Sequence, residues 1–154
     1  LEFRRVLFRS NTISFDNVSI ASNSINVPAI LVANATAGGT SSLTVTNSHF
    51  DDWDGPALRT DGGTVNVNFS NSTINGMHGS SGGLYINTTG SNVAISNVTF
   101  TGQLANGIRF FGANNVLSGT GNVSTATYGN ALCNTGGNIQ VGSIGFTSPA
   151  TTCP

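Results

Sequence analysis

The chain is predicted to fold as an all-β, right-handed parallel β-helix of about five to six coils, and three observations lead there. An eight-residue template, Φ-x-Φ-x-N-x-x-Φ with Φ apolar, returns four times. A second pattern, a small residue followed by Φ-x-Φ, falls between the copies. The remainder is Asn, Ser, Thr and Gly with scattered Val and Ile, a composition that weakens helices and leaves the β-branched residues to strands.

The first ten residues, LEFRRVLFRS, stand apart from this pattern. They hold three of the five Arg and the single Glu of a chain that has no Lys and is only 7% charged, against about 25% in an ordinary soluble domain. The decapeptide resembles the translation of a sequencing-adapter oligonucleotide, in which GAG TTC AGA CGT GTG CTC TTC CGA TCT encodes Glu2 through Ser10. Residues 1–10 are therefore expected to be a non-native scar, with the coils over 11–146 and a C-terminal strap over 147–154. Without the scar, two Arg and five Asp remain, a net charge of −3 over 144 residues.

The template copies follow in order. Ile13, Phe15, Asn17 and Ile20 form the first, and Leu43, Val45, Asn47 and Phe50 the second. The third is Val67, Phe69, Asn71 and Ile74, and the fourth Val93, Ile95, Asn97 and Phe100. Their starts are separated by 30, 24 and 26 residues. A degenerate copy begins near Val116, and a sixth, with Ser in place of Asn, runs Ile139, Val141, Ser143, Phe146. Interleaved are Ala29-Ile30-x-Val32, Gly83-Leu84-x-Ile86 and Gly107-Ile108-x-Phe110, with weaker versions at Ala57 and Ala131. Alternation places every second side chain inward on a strand, and three short strands per period of about 24 residues describe one solenoid rung. An antiparallel sandwich would use paired hairpins with two-residue turns and gives no reason for one template to return. Asn17, Asn47, Asn71 and Asn97 suit a turn, because Asn tolerates the left-handed region and can bond its equivalent one coil along as a ladder. Asn-x-Ser/Thr triplets at Asn17, Asn71, Asn87 and Asn97 follow from composition, and three of them occupy that ladder.

Charge and hydropathy exclude several functions. Two cations cannot neutralise a row of phosphates, so neither nucleic acid nor an anionic membrane is expected as a partner. No apolar run approaches the length of about 18 residues that a membrane span needs.

The strings SGGLYINTTGSNVAISNVTF, NGIRFFGANN and GSIGFTSPATTCP resemble right-handed parallel β-helix proteins of the pectate-lyase-like superfamily, with a tail similar to bacterial secreted members. The resemblance covers nearly the whole chain and implies the fold. The scaffold itself carries lyases, hydrolases, adhesins and structural shells. It also implies that a carbohydrate groove would lie on the sheet made by the small-Φ-x-Φ strands, beside the loop before it.

Aligning those strands puts Leu31, Arg59, Tyr85, Arg109 and Cys133 in one outward column, with Asp61, Asn87 and Phe111 in the next. The preceding loops contribute Asp52, Trp53 and Asp54, and His78, which is read as a plain loop residue. An aromatic, two Arg and several Asp suit a sugar or uronate through stacking and bidentate hydrogen bonds. Hydrolysis would need two carboxylates about 5 to 9.5 Å apart across the scissile bond, yet every Asp except Asp16 belongs to one coil. The paired-Asp and Gly-His-Gly strings of polygalacturonases are missing. A lyase would need a base such as Arg109 and a calcium site. Asp52, Asp54 and Gly55 give D-x-D-G, a fragment of a calcium loop, so no cofactor is expected beyond that trace of Ca²⁺.

Cys133 and Cys153 are the only Cys and lie 20 residues apart, close to one coil, so a disulfide closing the C-terminal end is expected. The sequence therefore reads as an extracellular or cell-surface β-helix protein, N-terminally truncated, with a structural, adhesive or glycan-binding role and further coils as its neighbours. The alternative is a fragment of a carbohydrate-active lyase or hydrolase with its active coils upstream.

Overall fold

A computed structural model describes residues 12–23, 26–34, 38–78, 82–137, 139–141 and 144–145. Its strands come in triplets. The first rung is β1 (Thr12–Asp16), β2 (Ser19–Asn23) and β3 (Ile30–Asn34), and the second is β4 (Thr40–Thr46), β5 (His49–Trp53) and β6 (Leu58–Gly62). The third is β7 (Thr64–Ser70), β8 (Thr73–Asn75) and β9 (Leu84–Thr88), and the fourth β10 (Asn92–Ser96), β11 (Thr99–Thr101) and β12 (Gln103–Phe110). A fifth comprises β13 (Val116–Thr120), β14 (Val123–Ser124) and β15 (Thr127–Asn134), and β16 (Ile139–Val141) follows.

Equivalent strands stack in parallel into three sheets. Sheet A is β1-β4-β7-β10-β13-β16, sheet B is β2-β5-β8-β11-β14, and sheet C is β3-β6-β9-β12-β15. The all-β parallel solenoid expected from the repeat is what forms, with the template's Φ-x-Φ in sheet A, the residues after Asn in sheet B, and the small-Φ-x-Φ strands in sheet C. Neighbouring rungs are about 4.8 Å apart, so one rung's apolar face is covered only when the next is in place.

The template residues are the core. Val45 sits between Phe15 and Phe69 in register, and Phe50 pairs with Ile20 and Ile74. Phe50, Phe69, Phe100 and Phe110 are among the largest fully buried side chains. Phe50 meets Phe69 across the core at 5.7 Å between ring centroids.

The recurrent Asn does what its chemistry suggests. Asn17, Asn47, Asn71 and Asn97 all have positive φ, 50 to 55°, the region L residues other than Asn and Gly avoid. In the fifth rung Gly121 takes the position at φ 67°. Each Asn donates its backbone N–H to the carbonyl of the following rung, from Asn17 to Thr46 at 3.1 Å through Asn97 to Thr120 at 3.0 Å. The side-chain ladder is real between Asn97 Nδ2 and Asn71 Oδ1 at 3.1 Å. At the first step it is diverted, because Asn47 Nδ2 donates to Asp16 Oδ1 at 2.7 Å.

Three details differ from the sequence expectation. The degenerate fifth copy buries Leu117 rather than Val116. β16 pairs Ile139 with Val116 and Val141 with Ser118, so the sixth copy is offset by one residue from the template. Cys133 is in register with Arg109 on the outward column but is fully buried; outward in register is not exposed when a small side chain is covered by its surroundings. The segments expected as a scar (1–10) and a strap (147–154), and Cys153 with its expected disulfide, lie outside the described residues. No helix among the described residues is long and apolar enough to cross a membrane.

Candidate functional site

Sheet C builds the expected column residue by residue. Leu31 pairs with Arg59, Arg59 with Tyr85, Tyr85 with Arg109 and Arg109 with Cys133. Inward neighbours Leu58, Leu84 and Ile108 are fully buried, which fixes the alternation and forces the column outward. The Arg59 guanidinium lies 5.2 Å from the Tyr85 ring centroid and that of Arg109 5.6 Å. One phenol ring is thus held between two cations from the rungs on either side of it, the geometry of a cation–π pair.

The adjoining column orients this stack. Asp61 accepts from Arg59 Nε through both carboxylate oxygens, at 3.0 and 2.9 Å, and from Asn87 Nδ2 at 2.9 Å. Both hydrogen bonds from Arg59 to Asp61 are made by Nε. Arg59 and Asp61 keep 39% and 25% of their side-chain surface exposed, so water screens the pair and its worth to folding is small. Phe111 follows at the edge, 6.4 Å from Tyr85 between centroids and 54% exposed. An aromatic more than half in water, beside a second aromatic and two guanidinium groups, is a surface that offers stacking and hydrogen bonding together.

The loop residues expected to join this patch make their contacts elsewhere. Trp53 donates its indole N–H to the Val27 carbonyl at 2.6 Å. Beside it the chain runs so close to Val27 that a Cβ on Gly55 would stand 2.1 Å from that same carbonyl oxygen, so only glycine fits. Asp51 accepts from Asn75 Nδ2. Asp52, at φ 51°, lies 2.8 Å from His78 Nε2, and no partner places Asp54 on the column. His78, expected as a plain loop residue, is in fact one half of this pair. Its backbone N–H donates to the Trp53 carbonyl at 3.0 Å, which sets its ring over Asp52 one rung back. The signal for this was the rung spacing itself, which carries Asp52 onto the start of the loop holding His78.

With their carboxylates turned onto Asn75 and His78, Asp51 and Asp52 do not converge. Among the described residues no three His, Cys, Asp or Glu side chains gather as a metal would need. The remaining Asp, Asp16, ends β1 on sheet A. Hydrogen bonds from Thr46 Oγ1 and Asn47 Nδ2, both 2.7 Å, hold its carboxyl below the usual carboxylate range. In comparisons with protein-family models, curated proteins and solved structures, none matches this chain.

Proposed function

We propose that the chain is a wall segment of an extracellular or cell-surface β-solenoid that binds an acidic glycan on sheet C. The observation that carries this reading is the Arg59–Tyr85–Arg109 stack, in which the chain's only cations outside residues 1–10 sit on alternate rungs around one ring. A uronate carboxylate can take the Nη edge of Arg59 as a bidentate partner, and a pyranose face can lie on Phe111 or Tyr85. Asp61 holds the guanidinium in position, a role that an exposed pair fills better than it fills stability.

Binding is checked with the intact chain, Arg59→Ala and Arg109→Ala on a panel of acidic and neutral oligosaccharides. A lost charge-assisted contact is worth about 1.5–3 kcal/mol, so each variant should bind an acidic oligosaccharide roughly 10- to 100-fold more weakly. Equal binding by all three proteins, or binding by none, would leave a structural wall.

The extracellular setting carries its own proposal, a disulfide between Cys133 and Cys153. On the chain-entropy estimate, closing a loop of this size contributes about 3 kcal/mol, and such a bond persists in an oxidising compartment. Mass analysis under non-reducing conditions should find the pair two hydrogens lighter than two thiols; two intact thiols would refute both the bond and this support for secretion.

A further inference from the structure

We propose that the corner between sheets B and C holds a second sugar site, a pocket that takes one neutral pyranose ring. The inference rests on the glycan-binding reading and deepens it, by naming the sugar class that the same ligand would present one corner away from the arginines.

The pocket has a volume of about 300 Å³ and draws on three consecutive rungs. Met77 and His78 come from the third, Gln103 and Leu104 from the fourth, Thr127 and Tyr128 from the fifth. Register stacks like on like, since Gln103 pairs with Thr127 and Leu104 with Tyr128. Met77 and Leu104 are fully buried and give the pocket an apolar floor. Tyr128 is half-buried, and its hydroxyl is tied to Ser124 Oγ. Burial pushes the phenol up, against the smaller opposing effect of that hydrogen bond, so the ring stays neutral. Room for the ring comes from Gly107, where a Cβ would stand 3.0 Å from the Tyr128 edge. The rim is polar: Gln103 and Thr127 are exposed, and His78 is exposed but held by Asp52.

An apolar floor, one fixed aromatic and a rim of hydrogen-bonding groups match a pyranose, which has a C–H face and a polar edge. No Arg or carboxylate lines the pocket, so a uronate there would lose water without gaining a cation. The volume lies at the lower bound of small-molecule sites, about 300 to 1,000 Å³, which admits a single ring.

The relation to the arginine face follows from β12. That strand starts at Gln103 and reaches Arg109 near its end. Between them Asn106, Gly107 and Ile108 are all buried, which breaks the alternation and bends the strand round the corner. At about 3.3 Å per residue the two positions are at most about 20 Å apart along the backbone. One sugar cannot reach both, and an oligosaccharide can.

The test uses the full chain, with xylo- and gluco-oligosaccharides as neutral probes and oligogalacturonate as the acidic one, read by calorimetry. Ala105→Leu fills the pocket, and Gln103→Ala removes a rim group at an exposed position that folding does not need; thermal melts confirm that both are folded. Neutral probes should bind at least tenfold more weakly to both variants and unchanged to Arg59→Ala. Neutral probes that ignore the intact chain, or that bind it and Ala105→Leu equally, overturn the pocket. Oligogalacturonate binding that survives Arg59→Ala overturns the arginine face and leaves the pocket standing.

Discussion

At the residue scale, the turn Asn is the position where backbone conformation and side-chain chemistry coincide. Asn71 sits at φ 50°, its backbone N–H reaches Ser96 at 3.0 Å, and its side-chain oxygen accepts from Asn97. Alanine would keep the unfavourable φ, at about 1–2 kcal/mol, and would lose the side-chain bond. Glycine would remove the strain and lose only that exposed bond. Asn71→Ala should therefore lower unfolding stability by about 1–2 kcal/mol and Asn71→Gly by clearly less, as read by denaturant unfolding. Equal losses would mean that the side-chain ladder, and not the left-handed backbone, sets the choice of residue. Gly121 argues in the same direction, because the fifth rung uses it where the other rungs use Asn. The arginine column was legible at this scale too, since period-2 alternation fixes which residues share a face. The Asp52–His78 pair was legible only in part, because the rung spacing carries Asp52 of β5 to the start of the loop after β8, but no template aligns His78 within that loop.

At the element scale, the corners between sheets hold buried polar networks that the apolar template did not reveal. After each turn Asn comes Val18, Ser48, Ser72 or Val98, and after Gly121 comes Asn122. Where the next rung offers Ser or Asn, it serves the backbone of the rung before: Val18 N–H donates to Ser48 Oγ at 3.2 Å, Ser48 N–H to Ser72 Oγ at 3.0 Å, and Val98 N–H to Asn122 Oδ1 at 2.9 Å. The periodic position was visible in the sequence, but its mixture of Val, Ser and Asn hid the role of its polar members: Ser48 and Ser72 each accept from the preceding rung while donating to a carbonyl of their own rung, Thr46 and Ser70 respectively, both at 2.7 Å. A second network lies where sheet C returns to sheet A. Val65 N–H donates to Ser91 Oγ and Ser91 N–H to Asn115 Oδ1, both at 2.9 Å, while Asn115 Nδ2 donates to the Thr88 carbonyl at 2.7 Å. Asn115 is fully buried, so Asn115→Leu strands one donor and one acceptor away from water. Each costs about 1–3 kcal/mol, and the variant should lose about 2–6 kcal/mol in denaturant unfolding. The control is Asn66→Ala on the outer face, where Asn66 Oδ1 accepts from Asn92 in contact with solvent and water can replace it; its loss should stay below about 1 kcal/mol. A control as damaging as Asn115→Leu would show that the outer ladders, not the buried corners, hold adjacent rungs together.

At the scale of the whole molecule, a stack in which each rung touches only its neighbours makes cooperativity a property of the interfaces. Phe69 is the test position, because it is fully buried, lies in register between Val45 and Ile95, and meets Phe50 across the core at 5.7 Å. Phe→Ala at such a site costs about 3–5 kcal/mol through lost transfer energy and the cavity left behind. In a globular core that cost would be shared and the transition would simply shift. Here the cavity weakens the interfaces of the third rung with the second and the fourth, the only places where stability could pass from one end of the stack to the other. Phe69→Ala should therefore broaden the unfolding transition and lower its denaturant dependence, as two parts begin to melt separately. Hydrogen exchange should show amides of β1 through β6 opening at a different free energy from those of β10 through β15, whereas in the unaltered chain they open together. The intact third rung is what couples the ends, so the same substitution at Phe15, in the first described strand, should fray one end and leave β10 through β15 protected as before. A single sharp transition for Phe69→Ala, shifted but not broadened, would show that the coupling runs through the continuous hydrogen-bond ladders of the three sheets and not through the stacked apolar core.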